Sequence, residues 1–352
     1  MLPVDLDADL LRRAPKVLLH DHLDGGLRPA TIVELAAQAG HPLPTSDPAE
    51  LAAWFHQGGR DADLARYLEA FANTVAVLQT EDAIARVARE CAEDLDADGV
   101  VYAEVRYAPE LSTAGGLSLD AVFDALGAGV AAAPPTIQMR LLACVMRQED
   151  RGEEVVAAAL RARDRGVPVV GIDLAGPEAG FPASRHSQAI ATARAAGFHV
   201  TLHAGEAAGV DSVADALAQG AERLGHGVRI ADDLAADGAP GPVAREVLAG
   251  DITLEVCPTS NVHTGVVGAL ADHPVQRLRD AGFHVTISTD NRLMSGVSAT
   301  EELVATASAF GWDLDDVREV TELAARAAFL DDEVARADLL RAVDRGFAAL
   351  RP

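Results

Sequence analysis

The chain is expected to fold as a (β/α)₈ TIM barrel, and three observations in its 352 residues point there. Short β-branched or apolar runs alternate with Ala-rich stretches of helical periodicity, as in a parallel sheet crossed by helices. These runs number eight, which favours a closed sheet over an open one. Polar residues collect where the runs end, although barrel interiors are expected to be packed in apolar layers.

The strands are read at 17–22, 100–107, 138–146, 167–174, 199–203, 223–226, 252–257 and 284–289. After the first strand, 77 residues pass before the second, too many for a simple βα loop. Helical patterns near 30–39, 62–78 and 80–96 fill that interval. They read either as a cap inserted over the barrel mouth or as a surface excursion. Later strands are separated by helical stretches at 149–165, 184–196, 210–219, 242–248 and 275–281. These stop at Gly166, Gly197, Gly220, Gly250 and Gly282, where a helix can end with positive φ. Such crossovers between parallel strands are right-handed. Beyond the eighth strand, 300–310 and 314–350 read as further helices. No low-complexity linker or break in composition appears, so residues 1–352 are read as one domain.

Composition narrows the partners. The chain carries a formal charge of −25, and Lys16 is its only lysine. Polyanions are bound by clustered cations, so nucleic acid and anionic membrane surfaces are excluded as partners. A small neutral substrate fits better, and the oligomeric state stays open. No apolar run reaches the length of a membrane span. The opening residues Met1 to Asp7 lack the basic head and apolar stretch of a secretory signal. Cys91, Cys144 and Cys257 are odd in number and far apart, which argues against a disulfide framework. A cytoplasmic protein with reduced thiols is expected.

The first strand ends His20-Asp21-His22. Side chains at i and i+2 share one face of a strand, so both imidazoles can point into the barrel mouth. Alone, such a pair reads as two satisfied core histidines. Three other strand ends change that balance: His203-Ala204-Gly205-Glu206, Gly225-His226-Gly227 and Ser288-Thr289-Asp290-Asn291. Each has a dull reading by itself, a core histidine, an exposed cap or an N-cap. All fall at the rim where barrel enzymes place their sites. Three imidazoles and one carboxylate suit Zn²⁺ and are poor for Mg²⁺ or Ca²⁺, while iron or cobalt could also bind. His20, His22, His203 and Asp290 are therefore assigned to one Zn²⁺, with a position left for water. Zinc lowers the pKa of bound water to about 7. Glu206 and His226 remain beside it as proton-handling groups.

At these residues the sequence resembles the adenosine deaminase family. The matching segments are Pro15-Lys16-Val17-Leu18-Leu19-His20-Asp21-His22-Leu23-Asp24-Gly25, Gly171-Ile172-Asp173-Leu174-Ala175-Gly176 and His203-Ala204-Gly205-Glu206. They continue with Arg223-Leu224-Gly225-His226-Gly227, Leu254-Glu255-Val256-Cys257-Pro258-Thr259-Ser260-Asn261 and Ser288-Thr289-Asp290. Six such segments in order, each at a predicted strand end, are specific. The resemblance implies deamination of adenosine and 2′-deoxyadenosine to inosine and 2′-deoxyinosine, with release of ammonia. It implies that Glu206, in protonated form, gives a proton to purine N1, and that a raised pKa would be needed for this. It implies that His226 orients or deprotonates the attacking water. Asp24, with His22 nearby, would accept the ribose 5′-hydroxyl, and the Gly176 N–H would meet purine N3. Asn291 stands where many members carry a second Asp. An amide donates without any pKa shift, so Asn291 is expected to hydrogen-bond N7.

Other signals are set aside. Gly127-Ala128-Gly129-Val130-Ala131-Ala132 matches a dinucleotide-binding pattern, but it follows a helical stretch and reads as helix packing. The His-x-Glu and Pro-Cys-x-x-Cys signature of cytidine-type deaminases is absent. Cys257 reads as a small core residue. His41, His56, His186, His263 and His273 are expected to be exposed, and His199 and His284 to lie on the face away from the chemistry. Alternative functions are deamination of adenine or a 5′-modified adenosine, a hydrolase with two metals bridged by a carboxylate or a modified lysine, and a non-catalytic nucleoside-binding homologue. A carboxylate at Asp24 disfavours AMP. The position of Lys16, before the first predicted strand, counts against a lysine bridge.

Overall fold

The structure, a computed structural model, describes residues 6–60 and 64–351. Met1 to Asp5 of the opening segment, and Ala62 and Asp63 of the helix expected at 62–78, lie outside the described residues. Eight strands form the barrel: β1 Lys16–His22, β2 Val100–Tyr107, β3 Gln138–Met146, β4 Val169–Ala175, β5 His199–Ala204, β6 Arg223–His226, β7 Thr253–Val256 and β8 Val285–Ile287. Successive strands pair in parallel in the order of the chain. The expected (β/α)₈ architecture is thus present, with small shifts at strand ends. Val167, for example, belongs to the preceding helix exit, because its N–H bonds back to the Ala162 carbonyl at 3.0 Å.

The seam between β8 and β1 is closed by a parallel bridge from Asp21 to Asp290. Asp290 N donates to His20 O at 3.0 Å, and His22 N donates to Asp290 O at 3.1 Å. Backbone hydrogen bonds therefore join the two chain segments that carry three of the four assigned ligands.

Between β1 and β2 lie helices Pro29–Ala39, Pro48–Arg60 and Leu64–Val77, followed by the outer-layer helix Glu81–Ala97. The helix Pro48–Arg60 was not expected. Its signals are nevertheless present: Asp47 Oδ1 accepts from Ala49 N and Glu50 N at 2.9 Å, and Pro48 opens the first turn. Leu51 and Phe55 then bury one face, and Gly58-Gly59 near the end obscure the period. His56 of this helix lies 5.8 Å, centroid to centroid, from His263 beyond β7. It also packs on Gly296 beyond β8. The insertion thus reaches across to the C-terminal rim, as a cap does.

The glycine-containing run at 127–132 lies in helix Leu119–Ala131, where Gly129 sits against Ala85 and Ala88. The stretch expected as helix over 314–350 is broken into Leu314–Ala327 and Glu333–Ala349. Asp332 caps the second through Val334 N at 2.8 Å. Among the described residues, no helix is long and apolar enough to cross a membrane.

The barrel interior departs from the apolar layers expected of it. Arg106, fully buried, donates to Asp173 Oδ2 at 2.5 Å, Glu255 Oε2 at 2.8 Å and Leu19 O at 2.7 Å. Arg223 donates to Glu255 Oε1 at 2.7 Å and also to Glu104. Tyr102 and the Phe329 N–H complete the Glu104 carboxylate at 2.8 and 2.6 Å. Burial alone would push Glu255 up, but Arg106 and Arg223 hold it well below the carboxylate range. Charges this deep persist only when paired and hydrogen-bonded. The purpose of the network is visible at its upper end.

Candidate active site

His20 and His22 from β1, His203 from β5 and Asp290 after β8 bring one ligating atom each to within 4.8 Å of one another. His22 Nε2 lies 3.3 Å from both His203 Nε2 and Asp290 Oδ1, and His20 Nε2 lies 3.6 Å from Asp290 Oδ1. Most of this cluster is buried; His22 and His203 each expose only 11% of the side chain. Gly225 makes room behind it, since a Cβ there would stand 3.0 Å from His20 Cε1 and 3.1 Å from His203 Cα.

The interior network reaches the site through two imidazoles. His20 Nδ1 meets Glu255 Oε2 at 2.9 Å, and His203 Nδ1 meets Asp173 Oδ2 at 2.8 Å. A carboxylate only accepts, so the His20 ring carries its proton on Nδ1 and presents a lone pair at Nε2. Burial raises Asp173, but His203 and Arg106 more than offset it and hold the group low. Asp290 is oriented in turn by Ser260 Oγ at 2.6 Å and Asn291 Nδ2 at 2.8 Å, both donors.

These residues fit a divalent cation. His20 Nε2 is buried with no hydrogen-bond partner among the described residues, and its lone pair faces those of its neighbours. Within the connected set, Arg106 and Arg223 face four carboxylates, Glu104, Asp173, Glu255 and Asp290. Two negative charges remain, and a divalent ion neutralises both.

Glu206 and His226 stand beside the cluster. The His226 ring lies 4.9 Å from that of His20 and 5.3 Å from that of His203, and its Nε2 is 3.5 Å from Glu206 Oε2. Glu206 Oε1 accepts from Thr264 Oγ1 at 2.9 Å. Both His226 and Asp290 adopt left-handed backbone conformations, φ 60° and 59°. For non-glycine residues this costs about 1–3 kcal/mol each and concentrates at functional sites.

The loop carrying Glu206 is held by Glu178, a residue the sequence reading passed over. Glu178 accepts from the N–H groups of Gly205 (2.6 Å), Glu206 (3.0 Å), Ala207 (2.7 Å) and Ala208 (2.9 Å), and from Ser212 Oγ at 2.5 Å. Burial raises its pKa, but these donors outweigh burial and hold it low.

The remaining assigned residues line the same rim. Asp24 is buried in the turn Leu23–Gly25 after β1, and burial pushes its pKa up to about 7. Gly176 follows β4 with φ 92°, and a Cβ there would stand 2.6 Å from Gln148 Oε1. Asn291 spends one amide hydrogen on Asp290 and packs on Gly25. Arg292 pairs with Asp21 at 2.7 Å, tying the chain after β8 to β1 between His20 and His22.

Residues 15–345 match the family model for adenosine deaminase. The chain belongs to the adenosine deaminase family. It is 49% identical over 338 residues to an adenosine deaminase of Mycolicibacterium gilvum, covering 92% of this chain and 93% of the relative. With an adenosine deaminase of Mycobacteroides abscessus it shares 45% over 362 residues, 99% of each chain. Among solved structures, an adenine deaminase from Arthrobacter aurescens superposes with a TM-score of 0.84 at 27% identity, over 94% of this chain and 98% of the other. An amidohydrolase from Burkholderia ambifaria with bound Zn gives 0.84 at 25%, over 99% and 95%.

Several histidines depart from their expected exposure. His186 and His273 are buried, and His41, His56 and His263 are partly so. His186 meets the Arg147 carbonyl at 3.1 Å, and His273 meets Asn261 Oδ1 at 3.1 Å. Asp173, Glu255, Ser260 and Asn261 were within reach of the sequence reading. They stand inside the family segments already quoted, as polar residues in otherwise apolar strands or just beyond them.

Proposed function

We propose that the chain catalyses hydrolytic deamination of adenosine and 2′-deoxyadenosine, with one Zn²⁺ per chain held by His20, His22, His203 and Asp290. The observation that carries this reading is the convergence of those four ligating atoms within 4.8 Å, with Glu206 and His226 alongside. When bound, the ion supplies Lewis acidity that makes water a nucleophile near neutral pH. Glu206 hydrogen-bonds purine N1 and delivers a proton there as C6 is attacked, so that negative charge does not build up on the ring. His226 holds the attacking oxygen in place. The Gly176 N–H meets N3, and the Asn291 amide meets N7. Asp24 takes the ribose 5′-hydroxyl, which it can bind in either protonation state. On this reading residues 1–352 act as one catalytic domain, and three free buried cysteines suit a reducing cytoplasm.

The relatives named as adenosine deaminases share 45–49% identity, well above the 27% of the adenine deaminase. Lys16, the candidate for a bridging lysine, is committed elsewhere, with Nζ donating to Leu11 O at 2.6 Å and Ala14 O at 2.9 Å. A panel of adenosine, 2′-deoxyadenosine, adenine and AMP, followed by loss of absorbance, tests the substrate. The two nucleosides are expected to give the highest kcat/KM. Above about pH 8, where Asp24 is charged, a 5′-phosphate set against it meets like-charge repulsion of several kcal/mol, so AMP should fall by about 10²-fold or more there. Adenine or AMP turning over faster than adenosine would overturn the assignment.

A further inference from the structure

His226 is held from behind by a chain of donors whose direction can be read from one end. The chain starts at a backbone N–H, which can only donate: Val275 N donates to His273 Nδ1 at 3.1 Å. His273 Nδ1 is therefore an acceptor, and in the neutral ring the proton sits on Nε2. That Nε2–H meets Asn261 Oδ1 at 3.1 Å. With its oxygen so engaged, the Asn261 amide turns its NH₂ to His226 Nδ1, again at 3.1 Å. Asn261 is fully buried, and His226 and His273 are 1% and 3% exposed, so no solvent interrupts the sequence. Burial, with a smaller contribution from His226, lowers His273 to about 4, which keeps that ring neutral at pH 7.

We infer that Asn261 and His273 are positioning residues that lock His226 in its Nε2–H tautomer, so that it faces the reacting oxygen as a hydrogen-bond donor and not as a base. The opposite tautomer would place His226 Nδ1–H against the Asn261 N–H, two donors in a buried contact. The inference rests on the deaminase reading only for the identity of the oxygen. It leaves His226 to stabilise charge on that oxygen, as a preorganised donor does.

The direct test is the ¹⁵N spectrum of the histidine-labelled holoenzyme, with His226 and His273 identified by their loss in single variants. Both rings are expected to show an unprotonated Nδ1 and a protonated Nε2. A protonated Nδ1 on His226 overturns the inference whatever the activity on adenosine, and leaves the deaminase reading standing. Asn261→Asp reverses the relay, because a carboxylate accepts from both rings and draws the His226 proton to Nδ1. That variant is expected to keep its metal and KM, to show the moved proton, and to lose about 10²–10³-fold in kcat. Undiminished kcat with the proton moved overturns the inference. Should the variant fail to fold, the wild-type spectrum decides alone.

Discussion

Glu206→Gln is expected to keep its metal and lose about 10²–10⁴-fold in kcat, the range for a positioned general acid. The substitution preserves shape, and Glu206 contributes none of the four ligating atoms. Thr264 Oγ1 at 2.9 Å can still donate to the amide oxygen. The Glu178 carboxylate still holds the loop through Gly205 and its successors, because those bonds are to backbone. An amide can donate a hydrogen bond to N1 but cannot give up the proton. Ground-state binding should therefore survive and KM change little, with the loss confined to kcat. Kinetics and metal analysis on one preparation check both halves. A kcat within tenfold of wild type would remove Glu206 as the proton donor.

Arg106→Met is expected to destabilise the fold by about 3–5 kcal/mol, the cost of stripping one partner from a buried ionic contact. The guanidinium serves Asp173, Glu255 and the Leu19 carbonyl at once, with no exposure to water. Methionine fills much of the volume but leaves two carboxylates short of a countercharge. The pH dependence follows from the depressed folded pKa values of Asp173 and Glu255. Their stabilisation is complete above the unfolded carboxylate pKa of about 4 and is lost as pH falls through the lower folded values. Without Arg106 those folded values rise, so acid unfolding should begin at higher pH. Urea titrations of wild type and variant across acid pH check this. A stability change below about 1 kcal/mol would show that the network is not under this constraint.

The barrel and its rim were legible because both depend on local period and on strand ends. Eight apolar runs, the i, i+2 spacing of His20 and His22, and carboxylates at Glu206 and Asp290 all lie within a few residues of a strand terminus. The interior network was not legible in the same way. Glu104, Arg106 and Arg223 read as polar residues on strands, and nothing local shows that they face inward toward one another. The ion pairs that Arg106 and Arg223 make with Glu104, Asp173 and Glu255 span 32 to 149 residues of sequence. His273 illustrates the same difficulty, since its partner Asn261 lies across a turn and its importance comes only through His226. Glu178 is closer to a strand end. Its role depends on four backbone N–H groups, which no residue type announces.

The interior charges, the tautomer of His20 and the placement of Glu206 all suit a divalent ion at the seam of β1 and β8. Metal analysis of the purified, unchelated protein tests that directly. One equivalent of zinc per chain is expected, with adenosine turnover lost on chelation and recovered on adding Zn²⁺ back. Full turnover by a protein shown to contain no bound metal would contradict the account.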